Sequence, residues 1–279
     1  MPQLNSFHIF YIEDNERAVF WCDKIKRFIK SEFPKIVENP DAPDVIIVLG
    51  GDGTILSAVR KYHGGHSIIL GLNLGGVGFL ASVRDEDDFL RSLGAFFAGS
   101  YRIVEQNLIL ADVERGDKKV FTAEAFNEVI INNPLGMVEL EARIEGHSVK
   151  HVRGTGLLVS TSTGSTAYNM SAHGPIVVPD INCFVITEVL GHGIPSPSLI
   201  IKPDSVVDIE VVSFRKKEML SLSKDRTNFD VLFVADGNAI FPLEEKDRVI
   251  IRSSPHLVKF AELEENYFFK SLKEKFGFK

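Results

Sequence analysis

The chain has 279 residues, 44% of them hydrophobic, and carries 31 basic against 38 acidic side chains for a net charge of −7. That is apolar material for one large or two medium cores. The acidic balance excludes a general nucleic-acid-binding surface and leaves room for a local basic pocket that takes a polyanionic small molecule.

In chain order, "FHIFYI" (7–12) reads as a strand. The stretch 15–33 places Val19, Cys22, Ile25 and Ile29 along one helical face, with Trp21 and Phe28 flanking it. "VIIVL" (45–49) is a uniformly apolar, β-branched run, as expected for a parallel strand covered on both sides. A helix over 54–63 with Thr54 near its N-cap, a strand over 67–73, and a helix over 85–97 with Phe89, Leu93, Phe96 and Phe97 at helical spacing follow. Strands alternating with helices predict an α/β layer on a parallel sheet, and residues 1–100 are taken as one domain.

From Tyr101 the pattern changes to many short alternating or β-branched runs, among them 107–113, 119–132, 138–146, 156–162, 183–189, 206–212, 229–237 and 247–254. This predicts a sheet-rich second domain over 101–255. Within it, "GSTAYNMSA" (164–172) allows a brief helix. The segment 256–279 is a tail whose amphipathic, aromatic part, 265–278, is expected to pack back on the N-terminal domain. Cys22 and Cys183 lie far apart without metal-like pairing, which fits a reducing compartment. No window reaches the ~18 continuous apolar residues of a membrane helix. With Glu13, Asp14 and Glu16 near the start arguing against a signal sequence, a soluble cytoplasmic protein without membrane or nucleic-acid partners is expected.

Three segments carry chemistry. The first is "GGDGT" (50–54), directly after the buried run. A strand feeding a glycine-rich turn that opens a helix points backbone amides and a helix N-terminus at an anion, which suits phosphate. Gly50, Gly51 and Gly53 let a ligand approach the backbone, and Thr54 adds a hydroxyl. Asp52 would repel phosphate unless it has a specific chemical role. Two such roles are taking a proton from an attacking hydroxyl and holding Mg²⁺ that bridges donor phosphates. A plain strand-to-helix turn with a solvated aspartate is the competing reading. No Gly-Lys-Ser/Thr follows, so this is not a Walker A loop.

The second segment, "NLGGVGFL" (73–80), is a poor dinucleotide fingerprint. As a loop beside the first turn at strand C-termini, however, it places Asn73, Gly75 and Gly78 where ligands gather; a glycine corner is the alternative. The third, 156–179, has eight hydroxyl-bearing residues between Ser160 and Ser171. They suit a capped turn, or contacts to an adenine edge, ribose or phosphate, and Tyr168 is placed either to stack on a base or to pack.

Taken together, "GGDGT" (50–54), "NLGGVGFL" (73–80), "NEVII" (127–131), "VSTSTGSTAYNMSAHGPIV" (159–177) and "ADGN" (235–238) closely resemble the NAD kinase family, in the family's order, over about 44–252. The short GGDG motif is shared with phosphofructokinases and with lipid kinases, whereas the long S-T-x-T-G-S-T-A-Y segment is far more specific. The resemblance implies α/β plus all-β architecture: an N-terminal Rossmann-like parallel-sheet domain and a C-terminal β-sandwich domain. It also implies transfer of a phosphoryl group from ATP or another donor, such as polyphosphate, to the 2′-hydroxyl of the adenosine ribose of NAD, giving NADP. Mg²⁺ is the implied divalent cation, no resident protein metal site is assigned, and a homodimer or homotetramer is the implied assembly.

By the same resemblance, Asp52 matches the catalytic aspartate. Asn127 and Glu128 match a pair that contacts the adenosine portion. Thr163, Thr166, Ala167, Tyr168 and Ser171 match positions lining the adenine and ribose pockets, with Asn169 and Met170 inside the same segment. Asn238 stands where glutamine is usual, Thr155 where aspartate is usual, Ser162 for proline, and Gly76 and His173 also depart from the pattern, His173 replacing a glycine. Arg153, two residues before Thr155, is placed to approach a substrate phosphate or to be solvated at the surface. Rival readings are a non-catalytic NAD(H) sensor and a GGDG-type lipid kinase. The S-T-A-Y segment and the lack of a membrane-seeking helix stand against the lipid kinase.

Overall fold

The alternation in the first hundred residues is realised as a parallel sheet. The computed structural model describes residues 4–192, 196–217, 220–221, 228–264 and 267–277. Strand β1 (Ser6–Tyr11) leads into helix α1 (Glu16–Glu32), capped by the Asn15 side chain, which accepts from the amides of Arg17 and Ala18; such a cap contributes about 1 kcal/mol. The buried face of α1 is Ala18, Trp21, Cys22, Ile25 and Ile29, while Val19 is 41% exposed, contrary to expectation. Trp21 turns the face: its ring packs 4.9 Å from Phe89 and its indole N–H donates to Glu86.

A short β2 (Val37–Glu38) precedes β3 (Val45–Leu49), which is buried throughout, as its uniform apolar run predicts. Helix α2 (Asp52–Tyr62) begins earlier than predicted. Gly51 is its N-cap in extended conformation, so Asp52 lies in the first turn and Thr54 is not the cap. Then come β4 (Ile68–Leu72) and, after one 3₁₀ turn, α3 (Phe89–Phe97), with Phe89, Leu93 and Phe96 fully buried.

The remaining chain is mostly strand: β5 (Arg102–Arg115), β6 (Lys118–Ala125), β7 (Glu128–Asn132), β8 (Val138–Ile144) and β9 (His147–Thr161). A 3₁₀ turn, Thr163–Thr166, then enters the one-turn helix α4 (Tyr168–Ser171). The run 119–132, read as one stretch, is two strands broken at Phe126–Asn127. Next are β10 (Phe184–Gly191), β11 (Leu199–Ile201), β12 (Val207–Phe214), the small ladder of β13 (Leu220–Ser221) and β14 (Asn228–Phe229), β15 (Val231–Ala235), β16 (Ala239–Leu243) and β17 (Arg248–Glu262). Helix α5 (Tyr267–Phe276) follows; residues 265–266 and 278 of the predicted amphipathic tail lie outside the described residues.

The chain divides into two units, Met1–Gln106 with His256–Lys279, and Asn107–Pro255. In the first, the strand order is β2-β1-β3-β4-β17, every pair parallel, with Ile47 facing Ile9 on one side and Leu70 on the other. Phe7, Ile9, Val45, Ile47, Leu70 and Leu72 form one core with α1 and α3. Residues alternate across a strand, so Ile46, Val48 and Ile69 face the other way, where α2 packs on β3 and β4. Gly71 of β4 lies directly beneath Ile55 of α2, a close approach that a Cβ would obstruct.

The second unit is antiparallel, with order β16-β15-β7-β9-β8-β12-β17; β10 also pairs with β9 and carries β11, and β5 pairs with β6. One core joins Ile109, Val113 and Ala125 of β5 and β6 to Leu157, Phe184, Ile209 and Phe233. This is the two-layer packing of a β-sandwich.

Candidate active site

In the first unit, β3 and β4 are parallel neighbours, so the turns after them emerge at the same sheet edge. The amide of Gly50 donates to Leu72 O (3.1 Å), and that of Leu74 donates to Gly50 O (3.4 Å), stitching the two turns together. Asn73 is buried and braces the second turn: its Oδ1 accepts from Gly75 N (3.1 Å) and its Nδ2 donates to Gly76 O (3.0 Å). Gly75 sits against the backbone of Gly51. Thr54 is buried with its side chain over Gly50, so its hydroxyl faces inward and is not presented at the turn surface. Gly51, Gly53 and Gly76 have open space where a Cβ would stand; a larger residue at 76 would fit.

Asp52 is part-buried, and its carboxylate is held by the second turn. Phe79 N donates to both oxygens (3.1 and 2.9 Å) and Leu80 N donates to Oδ1 (3.1 Å). Gly78 lies against that carboxylate, where a side chain would collide with it. A carboxylate accepts at about four sites. Oδ1 carries two of these bonds and Oδ2 one, which leaves acceptor capacity on Oδ2. Among the described residues these donors are all main-chain amides, which fix the carboxylate in place.

In the second unit, three of the singled-out segments meet. Asp236, in the turn between β15 and β16, accepts from the consecutive amides of Phe126 (2.8 Å), Asn127 (2.8 Å) and Glu128 (3.1 Å). This is what ends β6 and restarts the chain as β7. Asn127 O in turn accepts from Thr161 N (2.9 Å), and Thr161 Oγ1 donates to Phe126 O (2.7 Å) and accepts from Gly164 N (3.0 Å). Gly164 rests on the Asn127 carbonyl so closely that no Cβ fits. Asn127 and Glu128 are thus brought to the Thr163–Thr166 turn, and Asn238 sits at the exposed end of the Asp236 turn.

Within 163–171 the side chains sort by burial. Thr163 and Ser165 are buried, Thr166, Ala167 and Met170 are half-buried, and Tyr168 and Ser171 are exposed on one side of α4. Asn169 is fully buried and both ends of its amide are engaged within the protein: Nδ2 donates to Pro175 O (3.0 Å) and Oδ1 accepts from Thr187 Oγ1 (2.7 Å). It supports the turn and does not face outward. Arg153 and Thr155 lie on β9. Arg153 lines a cavity of about 370 Å³ together with Glu139, Ser213, Arg215 and Lys217, while Thr155 O accepts from Asn133 N (2.8 Å).

Sequence reasoning named the Ala-Asp-Gly-Asn turn for Asn238 and missed Asp236. The available signal was Asp-Gly between two apolar strands, since both residues tolerate the left-handed conformation found here, φ +48° and +67°.

A carboxylate set among glycines at a helix N-terminus, beside a second amide-rich turn, is an arrangement that suits a phosphotransferase. The family model "ATP-NAD kinase N-terminal domain" matches residues 13–101, and "ATP-NAD kinase C-terminal domain" matches 126–263. An NAD kinase of Geobacter metallireducens is 35% identical over 240 residues, 85% of this chain and 80% of that protein. One of Nitrosomonas eutropha is 30% identical over 272 residues, 96% and 87% of the two chains. Among solved structures, yeast NADH kinase complexed with NADH superposes with a TM-score of 0.86 at 18% identity, covering 99% of this chain and 88% of that one. An Archaeoglobus fulgidus NAD kinase in complex with ATP gives 0.74 at 21% identity, covering 97% and 98%. The chain belongs to the NAD kinase family.

Proposed function

We propose that the protein transfers the terminal phosphoryl group of ATP to the 2′-hydroxyl of the adenosine ribose of NAD, giving NADP, with Asp52 as the base that accepts or orients the hydroxyl proton. Membership of the family and the NAD and ATP named for its relatives support the reading. The observation that carries it is the Asp52 carboxylate, anchored by the Phe79 and Leu80 amides at the first turn of α2 with acceptor capacity left on Oδ2. In this reading Gly50, Gly51, Gly53, Asn73, Gly75 and Gly78 form the backbone cradle for donor phosphates. Asn127, Glu128, Thr163, Thr166, Ala167, Tyr168, Met170, Ser171 and Asn238 hold the adenosine half of NAD, and Arg153 with Thr155 meets its remainder.

Among the described residues Asp52 belongs to no cluster of three or more metal-ligating side chains. A divalent ion such as Mg²⁺ is commonly carried by one carboxylate, substrate phosphates and water. When bound it neutralises charge on the donor. The protein's own part is to place the acceptor hydroxyl, hold the phosphates against backbone amides and take up the proton at Asp52. We further take the protein to be cytoplasmic and homo-oligomeric, with other donors, polyphosphate included, open to assay.

The test is turnover of NAD to NADP by Asp52→Asn. The variant keeps size and acceptance at one of the two oxygens but lowers basicity, and kcat is expected to fall ~10²-fold or more with NAD affinity largely kept. Unchanged kcat would sink the assignment of Asp52.

A further inference from the structure

Strand β10 puts a hydroxyl where its neighbours are apolar. Residues alternate across a strand, so Val185, Thr187 and Val189 share one face, and all three are buried. The chain from Ser165 to Val177 rests on that face. Val177 clusters with Val185, and Ala172 packs against the cluster of Val189, Leu158 and Ile130. Between these contacts Thr187 Oγ1 donates to Asn169 Oδ1 of α4 (2.7 Å).

The direction of that bond is fixed by its surroundings. Asn169 Nδ2 meets two carbonyl oxygens, Pro175 O (3.0 Å) and Ser165 O (3.4 Å), and a carbonyl can only accept. The amide oxygen therefore points at Thr187, whose single proton goes to it. Ser198 Oγ, 2.9 Å from Thr187 Oγ1, is then the donor to Thr187. The segment that carries Ser198 is anchored close by: Ser196 accepts from the buried Lys150 ammonium, which also pairs with Glu188 (3.2 Å). The chain of donors thus runs from Ser198 through Thr187 and Asn169 to the backbone of the turn. At Gly174 a Cβ would strike the Asn169 amide, so the turn closes tightly on this side chain.

Apolar burial is non-directional and does not by itself fix how α4 is turned on the sheet. Valine at 187 would serve the packing, yet the hydroxyl ties β10 to the buried amide of α4, whose open side carries Tyr168 and Ser171. We propose that Thr187 is a positioning residue for NAD: its bond to Asn169, backed by Ser198, sets the orientation of α4 and so places Tyr168 and Ser171 against the adenosine half. This inference rests on the reading of α4 as part of the adenosine site.

The experiment is steady-state kinetics of full-length Thr187→Val, Thr187→Ser, Ser198→Ala and Tyr168→Ala, with NAD, ATP and Mg²⁺, alongside thermal unfolding. Thr187→Val keeps the shape and leaves the Asn169 oxygen without its donor. Its KM for NAD is expected to rise about 5- to 20-fold, with kcat and KM for ATP within twofold. Thr187→Ser keeps the hydroxyl and is expected to restore KM for NAD to within twofold of the parent. Ser198→Ala leaves the Thr187–Asn169 bond in place and is expected to raise the same KM about 2- to 4-fold, which carries the test should the valine variant not fold. Parental KM for NAD in the Thr187 and Ser198 variants, with a raised KM in Tyr168→Ala, overturns the inference and leaves the adenosine reading standing. Parental KM in Tyr168→Ala overturns that reading and the inference with it. A loss in Thr187→Val shared equally by NAD and ATP, or not restored by serine, also overturns the proposal, since the change would then act on the fold at large.

Discussion

In each unit an aspartate at a turn gathers consecutive backbone amides, and Asp52 and Asp236 differ in what is left over. Asp52 takes the amides of Phe79 and Leu80 and remains half-buried at the start of α2. Asp236 takes three amides in a row, Phe126 to Glu128, at 8% exposure and from a left-handed backbone. The first retains acceptor capacity on Oδ2. The second is enclosed, and each of its oxygens is engaged. On the proposed reading, one device therefore serves as a reagent in the parallel-sheet unit and as a pin in the β-sandwich unit.

Converting each aspartate to asparagine separates these roles. Asp52→Asn is expected to cost ~10²-fold or more in kcat with a smaller change in Tm, because one amide oxygen can still accept from both Phe79 and Leu80 and only the second contact to Phe79 meets an NH₂ group. Asp236→Asn turns an NH₂ group toward backbone donors and removes charge-assisted bonds worth roughly 1.5–3 kcal/mol each. A Tm drop of at least about 5 °C is expected, at ~2–4 °C per kcal/mol for a chain of this size class, with activity recovered in part at low temperature. If Asp236→Asn melted like the parent, the pin would be decorative. If Asp52→Asn melted early, the contrast between reagent and pin would dissolve.

The same contrast shows how far the sequence could be read. Val45–Leu49 was legible because a strand covered on both faces needs apolar side chains at every position, and the glycines after it announce a turn where backbone comes close. The helical spacing of Phe89, Leu93 and Phe96 translated directly into burial, whereas Phe97, read with them, is only half-buried. Val19 did not, because a helix face is set by its partner, and Phe89 recruits Trp21. The break of β6 from β7 was invisible since it is imposed by Asp236, more than a hundred residues away along the chain. Likewise the eight hydroxyls of 160–171 gave no hint of which face inward. That the polar ends of Asn169 meet Pro175 and Thr187 is a product of tertiary packing.

A smaller effect concerns the outer face of β8 and β9, where His151 bridges two carboxylates, Nδ1 to Glu141 (3.0 Å) and Nε2 to Glu139 (2.8 Å). The hydrogen bonds to Glu141 and then Glu139 raise the His151 pKa above its usual 6.5. Glu139 is lowered, first by Ser213 and then by His151, and Glu141 first by Ser148 and then by His151. A raised histidine contributes fully below about 6.5 and loses its contribution as pH rises through the folded-state value. The lowered glutamates contribute above their usual 4.5 and lose it as pH falls through theirs. The triad thus helps most between about pH 4.5 and 6.5. His151→Gln should lower Tm there by on the order of 1–2 °C, the modest size reflecting solvent exposure, and the difference should fade at pH 8. A deficit that grows toward alkaline pH would contradict the assigned direction.

The smallest effect is at His173, just beyond α4. Its backbone has φ +61°, its amide donates to Met170 O (3.0 Å), and its side chain is exposed. A non-glycine residue there carries strain of about 1 kcal/mol, whereas glycine adopts the conformation freely. Glycine also gives the unfolded chain more freedom to lose, roughly 0.4–1 kcal/mol. The two oppose each other, so His173→Gly is expected to raise Tm by no more than about 1–3 °C, with kcat and KM unchanged. The sign is informative because α4 carries Tyr168 and Ser171 on its open side. A gain places the relief in the backbone alone, leaving the residues proposed to face adenosine untouched. A fall in Tm, or a rise in KM for NAD, would mean that the imidazole itself braces this turn and that the pin at Asp236 does not hold the hydroxyl-rich segment unaided.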